Sequence, residues 1–169
     1  MNDDFQTEEE RWITCIGRFI IDFAYIEESL YRVIQSHLKN TQISYKNLRD
    51  KFDSNYVDLF KNIFISDISQ TEEVRKLIKE FTTKANNLRP IRNTIAHNSL
   101  GLMFERKETG EMEIIGFEIE NKTKQNISIN YDTFVMHMGA LKVCRSNLEK
   151  LMEIFQNKED AMVIAKSKQ

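Results

Sequence analysis

Proline, glycine, cysteine and histidine are all scarce in this sequence. Its 169 residues include one proline, five glycines, two cysteines and three histidines. So little glycine and proline excludes a collagen-like or low-complexity chain and favours long, uninterrupted helices. The sequence also lacks an apolar run near the roughly 20 residues that span a bilayer, and its acidic start, MNDDFQTEEER, is unlike a signal peptide. We therefore expect a cytoplasmic protein that makes no use of a membrane.

The two cysteines, Cys15 and Cys144, fall in predicted helices and lack the close pairing of metal-binding cysteines. We expect two buried free thiols and no disulfide. No cluster of histidine and carboxylate residues has the spacing of metal ligands, so we expect neither a metal nor another cofactor. Neither cysteine has a candidate base near it in the sequence, which disfavours nucleophilic cysteine catalysis.

Acidic and basic residues nearly balance, with a net charge of −2. A nucleic-acid-binding protein usually concentrates positive charge where phosphates bind, so this total by itself does not indicate one. The segment from Val74 to Asn98, however, has six lysines and arginines against one glutamate. If the protein binds RNA, we expect Lys79, Lys84 and Arg89 to contact phosphates there. The alternative is that these charges form the solvated face of a helix.

The first predicted helix starts at a capping box formed by Thr7 and Glu10 and ends near Leu38. Its main apolar positions recur at spacings of three and four: Trp12, Ile16, Phe19, Phe23, Ile26, Leu30 and Val33. A second apolar set makes this face wider than one neighbour would cover: Ile13, Ile20, Ala24, Tyr31 and Ile34. The helix therefore either lies centrally among the others or contributes to a subunit interface. Residues 43–65 predict one or two shorter helices.

The next predicted helix carries the only proline. Ser69 and Glu72 predict its start, again as a capping box, and Gly101 predicts its end. Pro90 has no amide hydrogen for the carbonyl one turn earlier, and it disfavours helical dihedral angles in the residue before it. We therefore expect a kink or a restart at Pro90, with residues 90–98 as a short, separately directed segment.

Residues 101–130 differ in character, because β-branched and aromatic residues alternate there with polar ones. A turn signal at residues 108–110 predicts a hairpin, or three short strands if the segment near residue 129 forms another. The apolar alternation changes phase between Ile114 and Ile115, beside Gly116, which predicts a β-bulge.

A final long helix is expected from Asp132, which would be its cap, and residues 156–169 form a mostly polar tail. Residues 1–169 therefore predict a single, mainly α domain. We expect a bundle of four to five helices with a small antiparallel β insertion between the last two long helices.

The stretch LRPIRNTIAHNSL, residues 88–100, combines groups suited to phosphodiester chemistry. Arg92 would bind an anionic phosphate through two hydrogen bonds and stabilise its developing charge, and His97 would transfer a proton. In a regular helix, residues five apart differ in direction by about 140°, so Arg92 and His97 do not share one narrow face. Asn93 and His97 do share a face, so we expect Asn93 to hydrogen-bond the imidazole and orient it.

The motif RNTIAH, with R-N-x-x-x-H spacing near the end of a penultimate bundle helix, resembles the signature of the HEPN superfamily (higher eukaryotes and prokaryotes nucleotide-binding domains). The order of predicted helices is similar over most of the chain, including the first helix around FIIDFAYIEESL. The resemblance implies a HEPN-like bundle and a metal-independent endoribonuclease, often a toxin or an anti-phage effector. It places Arg92 and His97 on the phosphodiester and the RNA 2′-hydroxyl, with Asn93 at the polar position after the arginine. The β insertion departs from the minimal four-helix form.

Cleavage that uses the 2′-hydroxyl as nucleophile needs a base and an acid, a task that two imidazoles can share. A helix end is a sufficient explanation for His37, and a core position explains His137, which lies near the apolar face of the last helix. Two copies of His97 related by a two-fold axis would supply the pair, so we expect a homodimer. Similar HEPN enzymes build a composite cleft from two facing motifs.

Other interpretations of these residues remain open. Arg92 would serve structure if it paired with Glu27 or Glu28 of the first helix while His97 capped its own helix. Glu27 is either an auxiliary residue that positions Arg92 or an exposed helix residue. As an enzyme, the protein would cleave single-stranded RNA under the control of an antitoxin or a sensor. As a non-catalytic HEPN-like module, it would bind a nucleotide or a protein partner such as a nucleotidyltransferase.

Overall fold

Four helices and three strands make up the described part of the chain, and the helices dominate. The computed structural model describes residues 3–41, 56–67, 70–120 and 127–167. In chain order the elements are α1 (Asp3–Thr41), α2 (Tyr56–Ile65), α3 (Glu72–His97), β1 (Ser99–Arg106), β2 (Met112–Glu120), β3 (Ile127–Asn130) and α4 (Tyr131–Ser167). The expected mainly α fold with an antiparallel insertion before the last long helix is confirmed. No described helix has a stretch long and apolar enough to cross a membrane.

The starts of α1 and α3 differ from the predicted capping boxes. α1 begins at Asp3, so Thr7 lies inside the helix and does not cap it. At the start of α3, the amide nitrogen of Val74 lies 3.4 Å from the hydroxyl oxygen of Thr71, which makes Thr71 the cap. Ser69, the expected cap, lies outside the described residues. Several polar residues near a helix start can act as cap, and the local turn decides which one does.

α4 is capped two residues earlier than expected. The amide of Thr133 donates a hydrogen bond to Oδ1 of Asn130 at 2.9 Å, so Asn130 is the cap and the expectation for Asp132 is wrong. Asp132 lies in the first turn, where a carboxylate interacts favourably with the helix dipole. The polar tail from residue 156 continues the helix as far as Ser167.

Pro90 lies inside α3 without interrupting it. The helix is continuous from Glu72 to His97, so the expected restart at Pro90 is wrong. The hydroxyl of Thr94 donates to the carbonyl of Pro90 at 2.7 Å, one turn after the proline. Gly101 does not end the helix, because it lies within β1. Arg92 and His97 therefore belong to one continuous helix, and the expected kink at Pro90 stays a prediction.

The chain forms two compact units. Unit 1 comprises residues 1–24 and 87–141, and unit 2 comprises residues 25–86 and 142–169. The helices α1, α3 and α4 each contribute residues to both units. The sheet and the motif stretch from Leu88 to Leu100 belong to unit 1.

An aromatic cluster forms the core of unit 1. The ring of Trp12 on α1 lies 5.8 Å from Phe117, 5.5 Å from Tyr131 and 6.0 Å from Phe134, measured between centroids. Phe19 lies 5.6 Å from Phe134. Trp12, Phe19 and Phe134 are buried, the first two as the apolar spacing of α1 predicted. These contacts pack α1 against β2 and the beginning of α4.

The second apolar face of α1 is only partly covered. Ile34 is buried in unit 2, whereas Ile13 in unit 1 is 58% exposed and Ala24 is also exposed. In unit 1, therefore, α1 does not have both of its apolar faces covered by the described residues. A subunit interface on this face stays a prediction.

The three strands form an antiparallel sheet in the order β1-β2-β3. The register of β1 against β2 shifts so that Ile115 is an extra residue on β2, between the paired residues Ile114 and Gly116. The predicted bulge is therefore confirmed. A Cβ atom on Gly116 would lie 2.3 Å from the carbonyl oxygen of Ile129, so β3 approaches this closely only because the residue is glycine. The predicted hairpin turn is also present, with Gly110 at a φ of 90°.

Phenylalanine rings likewise form the core of unit 2. Phe60 of α2 lies 4.8 Å from Phe64, 5.8 Å from Phe81 of α3 and 6.1 Å from Phe155 of α4. Phe64 stacks on Phe155 at 4.5 Å. Of the region where one or two short helices were expected, α2 accounts for the later part, and residues 42–55 lie outside the described residues.

The two cysteines are free thiols in different environments. Cys144 is buried and donates to the carbonyl of Phe81 at 3.8 Å. Burial raises the pKa of the Cys144 thiol to about 12, against a smaller opposing effect of the Lys84 charge. Cys15 is exposed, so the expectation of a buried thiol is wrong there. Cys15 is not among the main apolar positions of α1, whereas Trp12, one turn earlier, is buried in the core.

Candidate functional site

Arg92, the arginine of the motif, lies over an aromatic ring of α1. Its guanidinium carbon is 5.8 Å from the centroid of the Phe23 ring, and both residues belong to unit 1. Phe23 is completely buried, so its ring has a fixed position. A cation–π contact of this kind contributes about 0.5–2 kcal/mol, more where water is excluded, and Arg92 is half-buried. Helix α1 therefore provides a platform for the guanidinium.

The neighbouring residue, Asn93, also holds this guanidinium. Nη1 of Arg92 donates to Oδ1 of Asn93 at 2.9 Å. Neighbouring residues on a helix point in different directions, but the length of the arginine side chain allows it to reach back to the amide. The expected hydrogen bond from Asn93 to His97 is not among those formed by the described residues. Asn93 therefore holds the guanidinium of Arg92, and it does not orient the imidazole of His97.

His97 is the last residue of α3 and its side chain is exposed. A free helix end leaves its last carbonyl groups without amide donors, and one of them, that of Thr94, accepts a hydrogen bond from Nδ2 of Asn98 at 2.8 Å. The side-chain cap of this helix is therefore Asn98. A purely structural explanation of the motif assigned the capping role to His97. Asn98 performs that role instead, and the side chain of His97 is exposed.

The two glutamates considered as partners of Arg92 belong to unit 2. Glu28 is paired with Arg32, since Nε of Arg32 donates to Oε1 of Glu28 at 2.8 Å along the exposed side of α1. Glu27 is half-buried on the same helix. Its part as an auxiliary residue stays a prediction.

The expected phosphate-binding residues are divided between the units. Arg89 is half-buried in unit 1, one turn before the motif, while the exposed Lys79 and the half-buried Lys84 belong to unit 2. Part of the positive charge of α3 is compensated, because Nη1 of Arg75 lies 3.9 Å from Oε2 of Glu72. Of the three expected phosphate-binding residues, Arg89 alone lies in the same unit as Arg92 and His97.

The other two histidines have structural surroundings. The ring of His37 lies 4.9 Å from that of Phe64 in unit 2, so a core neighbour accounts for its position, in addition to the helix end. His137 is half-buried on α4, and burial lowers its pKa because the charged imidazole loses hydration. Of the three histidines, His97 is the exposed one.

Phe23 and Asn98 were not recognised as part of the site from the sequence. Phe23 matched the apolar stripe of α1, and nothing in that pattern distinguishes a core ring from one that also carries a cation. Asn98 follows the last helical residue directly, and an asparagine there is a usable signal for a helix end. The motif helix carries a guanidinium held by two contacts and an exposed imidazole. A guanidinium can bind a phosphate, and an imidazole can exchange a proton.

Within the part of the chain that the structure describes, no three or more histidine, cysteine, aspartate or glutamate side chains are grouped so as to hold a metal ion. The chain matches no protein-family model, no curated protein and no solved structure. What it does must therefore be inferred from the motif and from the contacts of Arg92, Asn93 and His97.

Proposed function

We propose that the protein is a metal-independent endoribonuclease of HEPN-like fold that acts as a homodimer on single-stranded RNA. The motif resemblance suggests this activity, and one observation carries it further: the ring of Phe23 and the amide oxygen of Asn93 both locate the guanidinium of Arg92. A cation held in place before the reaction stabilises developing negative charge better than one that must first be ordered.

In the proposed reaction, the 2′-hydroxyl oxygen of RNA attacks the adjacent phosphorus while the bond from phosphorus to the 5′-oxygen breaks. His97 of one copy takes the proton from the 2′-hydroxyl, and the second copy's His97 gives a proton to the leaving oxygen. Arg92 binds the non-bridging phosphate oxygens, whose negative charge grows in the transition state. The products are a 2′,3′-cyclic phosphate and a 5′-hydroxyl.

The remaining residues of the proposal guide RNA and regulate the enzyme. Lys79, Lys84 and Arg89 are the proposed contacts to RNA phosphates, and Glu27 is the proposed auxiliary residue. The enzyme acts in the cytoplasm as a toxin or an anti-phage effector, under the control of an antitoxin or a sensor. Phosphate contacts of this kind make RNA binding weaker as the salt concentration rises.

One observation favours a second candidate function. Asn93 binds Arg92, so His97 lacks the orienting hydrogen bond that a general acid or base usually has. In that case the chain is a non-catalytic module that binds a nucleotide, or a protein such as a nucleotidyltransferase, and the contacts of Arg92 serve structure alone.

The deciding experiment compares RNA cleavage by the purified wild type and the His97→Gln variant in the presence of EDTA. We expect the wild type to leave 2′,3′-cyclic phosphate ends and the variant to leave the RNA intact with an unchanged circular dichroism spectrum. His137→Gln is the matched control, because it removes an imidazole of the same unit that is half-buried and outside the motif. Equal cleavage by wild type and His97→Gln, or a strict need for a divalent metal, would rule out this mechanism.

A further inference from the structure

Strand β1 lies at an edge of the sheet. In the strand order β1-β2-β3, β1 pairs with β2 on one side only, and no described strand pairs with its other side. Its first six residues, SLGLMF, include no proline and no charge, which are the usual means of protecting an edge. A strand of this kind presents a row of backbone N–H and C=O groups that a further strand can use.

The apolar side of β1 is incompletely covered. Directly opposite residues in an antiparallel pair point to the same face, so Leu100 shares a face with the buried Ile119, and Phe104 shares it with the buried Ile114. Yet Leu100 is 39% exposed and Phe104 is 46% exposed. The apolar face of the sheet therefore continues to the edge and stops there with part of its area in water.

The other face of the sheet is acidic. The register brings four carboxylates to this face. Glu105 of β1 is opposite Glu113, and Glu118 and Glu120 follow further along β2. A single described cation compensates them in part, with Nζ of Lys107 3.3 Å from Oε2 of Glu113. This face repels phosphate, so it is unsuited to RNA and suited to a cationic group.

Small residues on β1 make the inner carboxylates reachable from the edge. Glu118 is opposite Gly101, and Glu120 is opposite Ser99. No atom lies within 4 Å of the position that a Cβ on Gly101 would take. A lysine or arginine on an added strand, about 4.8 Å from β1, would pass over Gly101 towards Glu118.

We propose that the outer edge of β1, with which no described strand pairs, binds an extended segment of a protein partner that has apolar side chains at alternate positions and lysine or arginine between them. The apolar side chains cover Leu100 and Phe104, and the basic ones meet the carboxylates of the opposite face. A second copy of this chain fits less well. Pairing of two β1 strands with their apolar faces on one side would join two acidic faces, and the described cation of each, Lys107, already lies beside Glu113 of its own copy.

The probe for the test is a capped, fluorescent peptide of alternating valine and lysine, eight residues long like β1. Fluorescence anisotropy measures its binding to the full chain. We expect a peptide with glutamate in place of lysine to bind at least about tenfold more weakly, because like charges then oppose one another. Leu100→Lys should weaken binding of the lysine peptide by a similar factor, while Met136→Lys, an equally drastic change at an exposed residue of α4, should leave it unchanged.

Two N-methylated forms of the peptide test the backbone contact itself. One is methylated at every valine and the other at every lysine. An added strand uses the N–H groups of one of its two edges, so one form should keep the affinity of the parent peptide and the other should lose it. Equal affinity of the lysine and glutamate peptides, or equal affinity of the two methylated forms, would overturn the proposal.

Sedimentation velocity tests the remaining alternative, a dimer in which the β1 edge binds a second copy of the chain. If the chain forms a dimer that Leu100→Lys dissociates, and the lysine peptide does not bind, the edge belongs to a second copy and the partner proposal fails. Because the tested residues lie on the sheet and the catalytic proposal rests on Arg92 and His97, either proposal can fail without the other.

Discussion

The guanidinium of Arg92 on α3 lies 5.8 Å from the centre of the Phe23 ring on α1. Phe23 is at once a fully buried core residue of unit 1 and the surface on which the cation of the motif is supported. The contact connects the packing of α1 to the chemistry expected at the end of α3. Its consequences can be measured separately from the stability of the core.

Replacing Phe23 with leucine should reduce RNA cleavage more than an equivalent change elsewhere in the core. Leucine keeps an apolar side chain but removes the cation–π contact, which predicts a loss in kcat/KM of about 2- to 30-fold. The matched control is Phe19→Leu, because Phe19 is an equally buried ring of α1 that contacts Phe134. Equal losses in both variants, after correction for unfolded protein, would mean that Phe23 acts only in the core.

Replacing Asn93 with alanine should lower kcat/KM by about tenfold, because a hydrogen bond to a charged group contributes about 1.5–3 kcal/mol and this one is only half-buried. Asn93→Asp should instead raise KM, since a carboxylate beside Arg92 competes with the RNA phosphate. The control is Asn87→Ala, a change at an exposed residue of the same helix. Steady-state kinetics on a short RNA distinguish these effects, and unchanged parameters in both Asn93 variants would argue against a role in holding Arg92.

Gly116→Ala should destabilise the protein by about 2 kcal/mol or more, because its Cβ would overlap the Ile129 carbonyl and force β3 away from β2. Gly17→Ala should stabilise it by about 0.5–1 kcal/mol, since nothing lies within 4 Å of the new Cβ on α1 and alanine favours a helix. Urea denaturation of the two variants gives both values. A Gly116→Ala protein as stable as the wild type would show that the two strands can separate without loss.

Lowering the pH should destabilise the protein through His137. Burial lowers the pKa of this imidazole below its usual value of 6.5. The folded state therefore favours the neutral form, so its contribution to stability is complete above the unfolded-state pKa and is lost as the pH falls through the folded-state pKa. Between about pH 7.5 and about pH 5.5, the free energy of unfolding should fall less in His137→Gln than in the wild type. An identical fall in both would assign the pH dependence to other groups.

Cys15 and Cys144 should differ in their reaction with iodoacetamide. The thiolate is the reactive form, and Cys144 is buried with its pKa raised to about 12, whereas Cys15 is exposed. Mass spectrometry of the native protein should find Cys15 alkylated and Cys144 unmodified, and urea should make both react. Cys15→Ser provides the control, because it should leave the native protein without any label. Rapid native labelling of Cys144 would mean that unit 2 opens readily.

Local sequence patterns were sufficient for several elements. The phase change between Ile114 and Ile115 beside Gly116 predicted the bulge, because strand alternation has a period of two and an extra residue shifts it visibly. The apolar spacing of α1 likewise identified Trp12 and Phe19 as core residues. Helix starts were less predictable: Thr7 and Asp132 are suitable caps by residue type, but the position at which the chain turns decides whether a residue caps.

The order of helices and strands, the bulge and the six-residue motif with its arginine and histidine could be read from the sequence, since all of these depend on residues close together along the chain. The tertiary structure was needed to show that Phe23 lies under Arg92 and that β1 lies at an edge of the described sheet, beside an acidic face. Those relationships depend on which helix faces meet and on the register of the strands. Side chains far apart in the sequence come into contact only when burial of the apolar surface brings the elements together.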